Sequence, residues 1–134
     1  MQLIKSKNTS HLAGEFLVAG ELSRRGYQVS ITMGNAKSVD IYADTRERVI
    51  KVNAKAGRAK GNWPIASSSV DQDVYYIFVY LQTTNEKAPE YFIISGKEII
   101  AENLIKTWKT RQGITYSSLS RGGYKEAWGK LPPP

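Results

Sequence analysis

The 134-residue chain contains no cysteine. Disulfides and thiolate metal sites are therefore excluded. It contains one histidine, His11, which rules out a multi-histidine zinc site within a single chain. No apolar run approaches the roughly 20 residues that span a bilayer. The opening MQLIKSKNTS lacks the apolar centre of a secretory signal. These absences give the expectation of a cytoplasmic protein with no membrane partner.

What is present is the balance of an ordinary globule, 41% hydrophobic and 23% charged. The length suits one domain, expected over residues 1–130, with a Pro-rich extended or disordered tail at 131–134. Chains of this size bury roughly two-thirds of their unfolded surface, enough for a real core. The net charge of +7 implies an acidic partner, of which nucleic acid is the commonest. A basic but otherwise ordinary surface carries the same charge, so clustering matters more. Lys51, Lys55, Arg58 and Lys60 fall in one acid-free stretch. Lys106, Lys109, Arg111, Arg121, Lys125 and Lys130 fall in a second, against Glu126 alone between residues 105 and 130. Two such blocks flanking one groove would give sequence-independent, salt-sensitive binding to phosphates.

Periodicity predicts a first helix over residues 10–25. Ser10 is its cap, Arg24 and Arg25 suit its C-terminal dipole, and Gly26 suits the left-handed position beyond it. Leu12, Phe16, Ala19 and Leu22 form its expected core stripe, with Glu15 on the edge. Strands are expected over 27–33, 38–44, 48–55, 74–82 and 90–95. The run VYYIFVYL at 74–81 is apolar on both faces, as a central covered strand must be. Ser95 and Glu98 make a capping box that opens a second helix, expected over 96–112 with Ile100, Leu104, Thr107 and Trp108 inward. Residues 57–73 show no regular pattern. Trp63 in that stretch either pins the loop to the domain or stacks on a base. Tyr124 and Trp128, four apart, are placed to anchor one turn of the C-terminal segment. Two helices on opposite faces of one mixed sheet give a three-layer α/β/α arrangement.

The 39–60 segment, VDIYADTRERVIKVNAKAGRAK, carries the chemistry. Val39, Ile41 and Ala43 alternate with Asp40, Tyr42 and Asp44. Ile50, Val52 and Ala54 alternate with Lys51, Asn53 and Lys55. With a turn at 45–48 this is a hairpin with one buried side. Pairing brings Asp40 toward Lys51 and Asn53, an arrangement suited to a metal and a phosphate.

Glu15 on the first helix, the Gly34-Asn35 loop, Asp40 in Val39-Asp40-Ile41, and a strand ending in basic residues before Trp63 together resemble the restriction-endonuclease-like PD-(D/E)XK nucleases. The resemblance covers about residues 10–95 and is closest to small bacterial members. It implies that fold, nucleic acid (DNA first) as partner, and Mg²⁺ as cofactor. It makes Asp40, Glu15 and the Val52 carbonyl the metal ligands. The family's Glu/Gln position falls on Lys51 and its Lys position on Asn53, so the motif is degenerate. Lys51 or Lys55 is then available as a displaced lysine. The implied catalytic set is Asp40, Glu15, Lys51, Asn53 and Lys55. The nucleic-acid contacts are Lys51, Lys55, Arg58, Lys60 and Trp63. Asp71 and Asp73 are the next carboxylates should that alignment fail. A catalytically inactive protein-interaction module on the same fold is the alternative, and the sequence leaves a homodimer open.

Overall fold

A computed structural model describes residues 7–32 and 41–134. The first helix, α1, spans Lys7–Arg24. It ends as expected: Gly26 sits at φ 101°, the Gly26 N–H donates to the Ser23 carbonyl, and the Tyr27 N–H reaches back to the Leu22 carbonyl. That double closure needs a residue free to take the left-handed region. Strands β1 (Val29–Ile31), β2 (Ile41–Asp44) and β3 (Val49–Gly57) follow. After a short strand β4 (Asn62–Pro64) and a 3₁₀ turn at Ser67–Ser69 come β5 (Val74–Tyr80) and β6 (Glu90–Ser95).

Five strands form one sheet in the order β1-β2-β3-β5-β6. The β3–β5 pair is parallel and the other pairs are antiparallel, so the sheet is mixed as expected. The even residues of β3, Ile50, Val52 and Ala54, join Ile41, Ala43, Ile77, Val79 and Ile93 beneath Val18, Ala19 and Leu22 of α1. The opposite face buries Tyr76, Phe78, Tyr80, Phe92 and Ile94. β5 is thus covered on both sides.

The inward stripe of α1 differs from the expected one. Leu12 and Phe16 are 45% and 51% exposed. Ala19 and Leu22 turn inward as expected, joined by Gly14, Glu15 and Val18 in place of Leu12 and Phe16. The reason is local: a Cβ on Gly14 would collide with the Ala56 Cβ, so only glycine lets the helix lie this close to β3.

The second helix is shorter than expected. α2 is Gly96–Ala101, opened by the foreseen capping box. It stops because Asn103 takes φ 52° and its N–H turns back to the Ile100 carbonyl. Asparagine tolerates that conformation better than most residues. The rest of the expected helix is a hairpin of β7 (Lys106–Trp108) and β8 (Arg111–Thr115). With β4 it forms a second sheet, ordered β4-β8-β7. Gly113 is required there, since a Cβ would lie 2.7 Å from the Trp63 carbonyl oxygen. A third helix, α3 (Tyr116–Arg121), is capped by Thr115, which accepts from the Ser118 N–H. Ile99 of α2, Ile114 of β8 and Leu119 of α3 all pack on the second face of the large sheet. Helices therefore lie on both faces, and the second layer also holds the small sheet.

The C-terminal segment ties the layers together. Tyr124 is buried in the second cluster and Trp128 in the first. The tail is extended and docked: the Tyr27 hydroxyl donates to the Pro132 carbonyl at 2.6 Å, and the Arg46 N–H to the Pro133 carbonyl at 3.1 Å.

Three carboxylates in this frame lie below their ordinary 4.5. For Glu21 the hydrogen bond from Arg24 dominates. For Glu90 burial works against ionisation, but the Tyr116 hydroxyl, the Lys125 charge and Gln82 together outweigh it. For Glu98 burial is likewise outweighed, by Lys130 and Ser95. A carboxyl depressed in the fold stabilises it above the unfolded value, and that stability is lost as pH falls through the folded value. The melting temperature should therefore hold from about pH 7 to about pH 5 and drop below that. Glu90→Gln should flatten part of the drop in a melting-temperature series against pH.

Candidate nucleic-acid cleft

Alternation along β3 fixes where its polar side chains go. Because the even residues are buried under α1, Lys51, Asn53 and Lys55 face the second layer. Their surroundings differ sharply. Lys51 is exposed and lines a pocket with Arg48, Asp73 and Lys97, near the β2–β3 turn. Asn53 is 3% exposed, opposite Tyr76 in the parallel register. Lys55 is half-buried and opens on another cleft, of about 690 Å³, walled by Asn62, Trp108, Arg111 and Gln112. Four residues along a strand separate Lys51 from Lys55 by roughly 13 Å, so one anion does not engage both as neighbours.

Glu15 is 7% exposed. Its carboxylate pairs with His11 Nε2 at 2.8 Å, one helical turn away. The contact of Gly14 with Ala56 sets Glu15 beside the C-terminal half of β3. Val52 is fully buried, paired to Ile41 on one side and Tyr75 on the other. Asp40 and the Gly34-Asn35 loop lie outside the described residues. Among the described residues no three His, Cys, Asp or Glu side chains form a group that could hold a metal ion. Asp71 and Asp73 are exposed, and Asp71 Oδ1 accepts from the Asp73 N–H.

Trp63 is not available for stacking. It is 4% exposed, packs on Phe78, Phe92 and Tyr116, and donates its indole N–H to the Val79 carbonyl at 3.2 Å. It pins the β4 strand to the core, and no ring face is left for a base. Arg58 donates to the Gln82 carbonyl at 3.2 Å. The Lys60 ammonium stands 5.1 Å from the Tyr116 ring centre.

The two basic blocks meet in part. Lys55 from the first and Arg111 from the second share the cleft. Lys125 and Lys130 do not join them, since they pair with Glu90 and Glu98 at 3.5 and 2.6 Å. Sequence reasoning missed the hairpin wall with Trp108, because residues 96–112 also fit a helical stripe. The available signals were Asn103 as a helix stop and the β-branched and aromatic residues clustered around Gly113.

No family model matches this sequence, and no curated protein matches it. Among solved structures the fold is similar to that of a bacterial homing endonuclease, I-Ssp6803I, at a TM-score of 0.60 and 14% identity. The likeness covers 93% of this chain and 91% of that one. The two folds are therefore alike over nearly the whole length of each chain.

The approach of α1 to β3 that seats Glu15 has a direct test. Gly14→Ala should cost about 1–3 kcal/mol, the usual range for forcing extra volume into a packed contact. Gly20→Ala, where a Cβ meets nothing within 4 Å, should be neutral or stabilising. Urea unfolding of the two variants separates these outcomes.

Proposed function

We propose that this is a nuclease-like nucleic-acid-binding protein, with DNA the expected partner. Its cleft carries a degenerate magnesium-dependent phosphodiesterase site. The observation that supports it is the placement of Asn53 and Lys55 on one face of β3, with Lys55 opening on the cleft that holds Arg111, while the helix carrying buried Glu15 packs on the other face of the same strand. The likeness of the fold to an endonuclease supports the same reading.

In this reading the acid-x-lysine segment is Asn53-Ala54-Lys55, two residues beyond the Lys51-Val52-Asn53 alignment expected from sequence. The shift follows from exposure. Lys51 opens on a different pocket, whereas Lys55 fronts the cleft that also holds Arg111. Asp40 precedes Ile41 by one peptide bond, and Ile41 is the ladder partner of Val52. The donor set is hard oxygen throughout: the carboxylates of Glu15 and Asp40, the Asn53 carboxamide, and the Ala54 carbonyl in place of that of Val52. That chemistry fits Mg²⁺, which takes one or two carboxylates and fills its remaining positions with water and phosphate. When bound, the ion polarises a phosphate oxygen and orients water. Lys55 stabilises negative charge developing on the phosphate. Asn53 has the shape of an aspartate without its charge, so the ion is held weakly and cleavage is slow.

Plasmid cleavage with Mg²⁺ and Mn²⁺ tests the proposal. Lys55→Ala should lower the rate by about two to three orders of magnitude. Lys51→Ala should leave it close to the original. Asn53→Asp should raise both the rate and the metal-induced rise in melting temperature, and Asp40→Ala should abolish both. Should Lys51→Ala, rather than Lys55→Ala, remove activity, the shifted register is wrong. Salt-sensitive nucleic-acid binding with no cleavage by Asn53→Asp would leave a binding protein without catalysis. An absence of nucleic-acid binding would favour the protein-interaction module.

A further inference from the structure

The hairpin β7–β8 carries Lys106, Lys109 and Arg111 with no acid between residues 105 and 113. Every residue of β7 is exposed. Five basic groups elsewhere are held in ion pairs: Arg24 and Arg25 with Glu21, Arg48 with Glu47, Lys125 with Glu90, and Lys130 with Glu98. Among the described residues none of the three hairpin cations enters an ion pair. Trp108 is 40% exposed and lines the Lys55 cleft together with Arg111. The tip is also conformationally unusual. Lys109 sits at φ 55°, where glycine is the easier residue. A lysine held there gives up backbone stability for a charge at the end of the ribbon.

From these observations we infer that the β7–β8 hairpin is an arm that enters the major groove of duplex DNA and sets a strand against the cleft beside Lys55. The partner follows from shape and charge. β8 is bonded to β4 and Ile65 from Gln112 onward, so the tip at 108–111 lies beyond that ladder, and a two-stranded tip fits the roughly 12 Å width of the B-form major groove. The major groove of A-form RNA is too deep and narrow to admit it. In this pose Lys106, Lys109 and Arg111 meet phosphates or base edges. Trp108, at the base of the tip, packs against the groove wall. This inference rests on the nucleic-acid reading of the cleft, and goes beyond it by naming the reading element and the form of the nucleic acid.

The test uses the full chain with a short DNA duplex, an RNA duplex of the same sequence, and the single DNA strand. Of the three tryptophans, Trp63 and Trp128 are 4% and 7% exposed, so acrylamide quenching reports mainly on Trp108. The DNA duplex should shield Trp108, and the other two ligands should shield it much less. Lys109→Gly keeps the left-handed tip and should hold or raise the melting temperature. It should also lower the slope of log affinity against log salt by about 0.9, the amount expected for one lost phosphate contact. Arg111→Gln should lower affinity in the same assay, and unchanged affinity would count against the arm. Equal shielding by RNA or by the single strand would overturn the groove assignment. DNA binding that leaves Trp108 fully quenchable and the Lys109→Gly slope unchanged would overturn the arm while the proposed function stands. Failure to bind any of the three ligands at low salt would remove both.

Discussion

Everything in this fold depends on how closely α1 can lie against β3. Gly14 meets Ala56 with no room for a Cβ between them. That contact is possible because β3 carries small side chains, Ala54 and Ala56, on the helix side near its end. One face of β3 is then committed to the first core, which commits Lys51, Asn53 and Lys55 to the other. The same contact places a carboxylate, Glu15, where solvent barely reaches it. A buried carboxylate is costly unless it is paired, and His11 supplies one partner at 2.8 Å. The polar groups at this end of the sheet are therefore a consequence of packing decided by a glycine and two alanines.

The large sheet was legible because its strands alternate cleanly or are apolar throughout, and period two has no helical competitor over such lengths. Gly26 and the Ser95–Glu98 box were legible for a related reason, since each is a local device with a single geometry. The segment after Ala101 was not. Ile100, Leu104, Thr107 and Trp108 fit a helical stripe on paper, yet tertiary pairing of β8 with β4 takes over from Gly113 onward. Propensity yields to such long-range contacts. The polar face of β3 was legible in its residue types. Lys51, Asn53 and Lys55 share one strand face, and sequence alone does not tell which of them a core will bury or which a distant hairpin will roof over. Trp63 was legible as an anchor. Its burial against Phe78 and Phe92 is what the bland reading of an aromatic in an irregular stretch expects.

The charge excess is distributed unevenly, and this gives the net +7 its meaning. Ion pairs fix five of the basic side chains in place. Glu21, Glu90 and Glu98 each hold basic partners, and in doing so they fix the end of α1, the β6 edge and the start of α2. The hairpin and the cleft it walls hold Lys55, Lys106, Lys109 and Arg111 with no acid in the hairpin itself. An electrostatic field of one sign over a concave surface attracts polyanions far more effectively than the same charge spread over a sphere.

The segment at 124–126 also does something for the chain outside any binding event. The Ile93 N–H donates to the Tyr124 carbonyl, the Glu126 N–H donates to the Tyr91 carbonyl, and Phe92 and Lys125 form a bridge. The outer backbone of β6 is thereby occupied. β6 and its neighbour β5 carry long apolar runs, and an open edge there would recruit another chain by strand addition. A three-residue splint carrying a lysine closes that route. Loosening it would be felt first as aggregation, before any loss of the fold beneath.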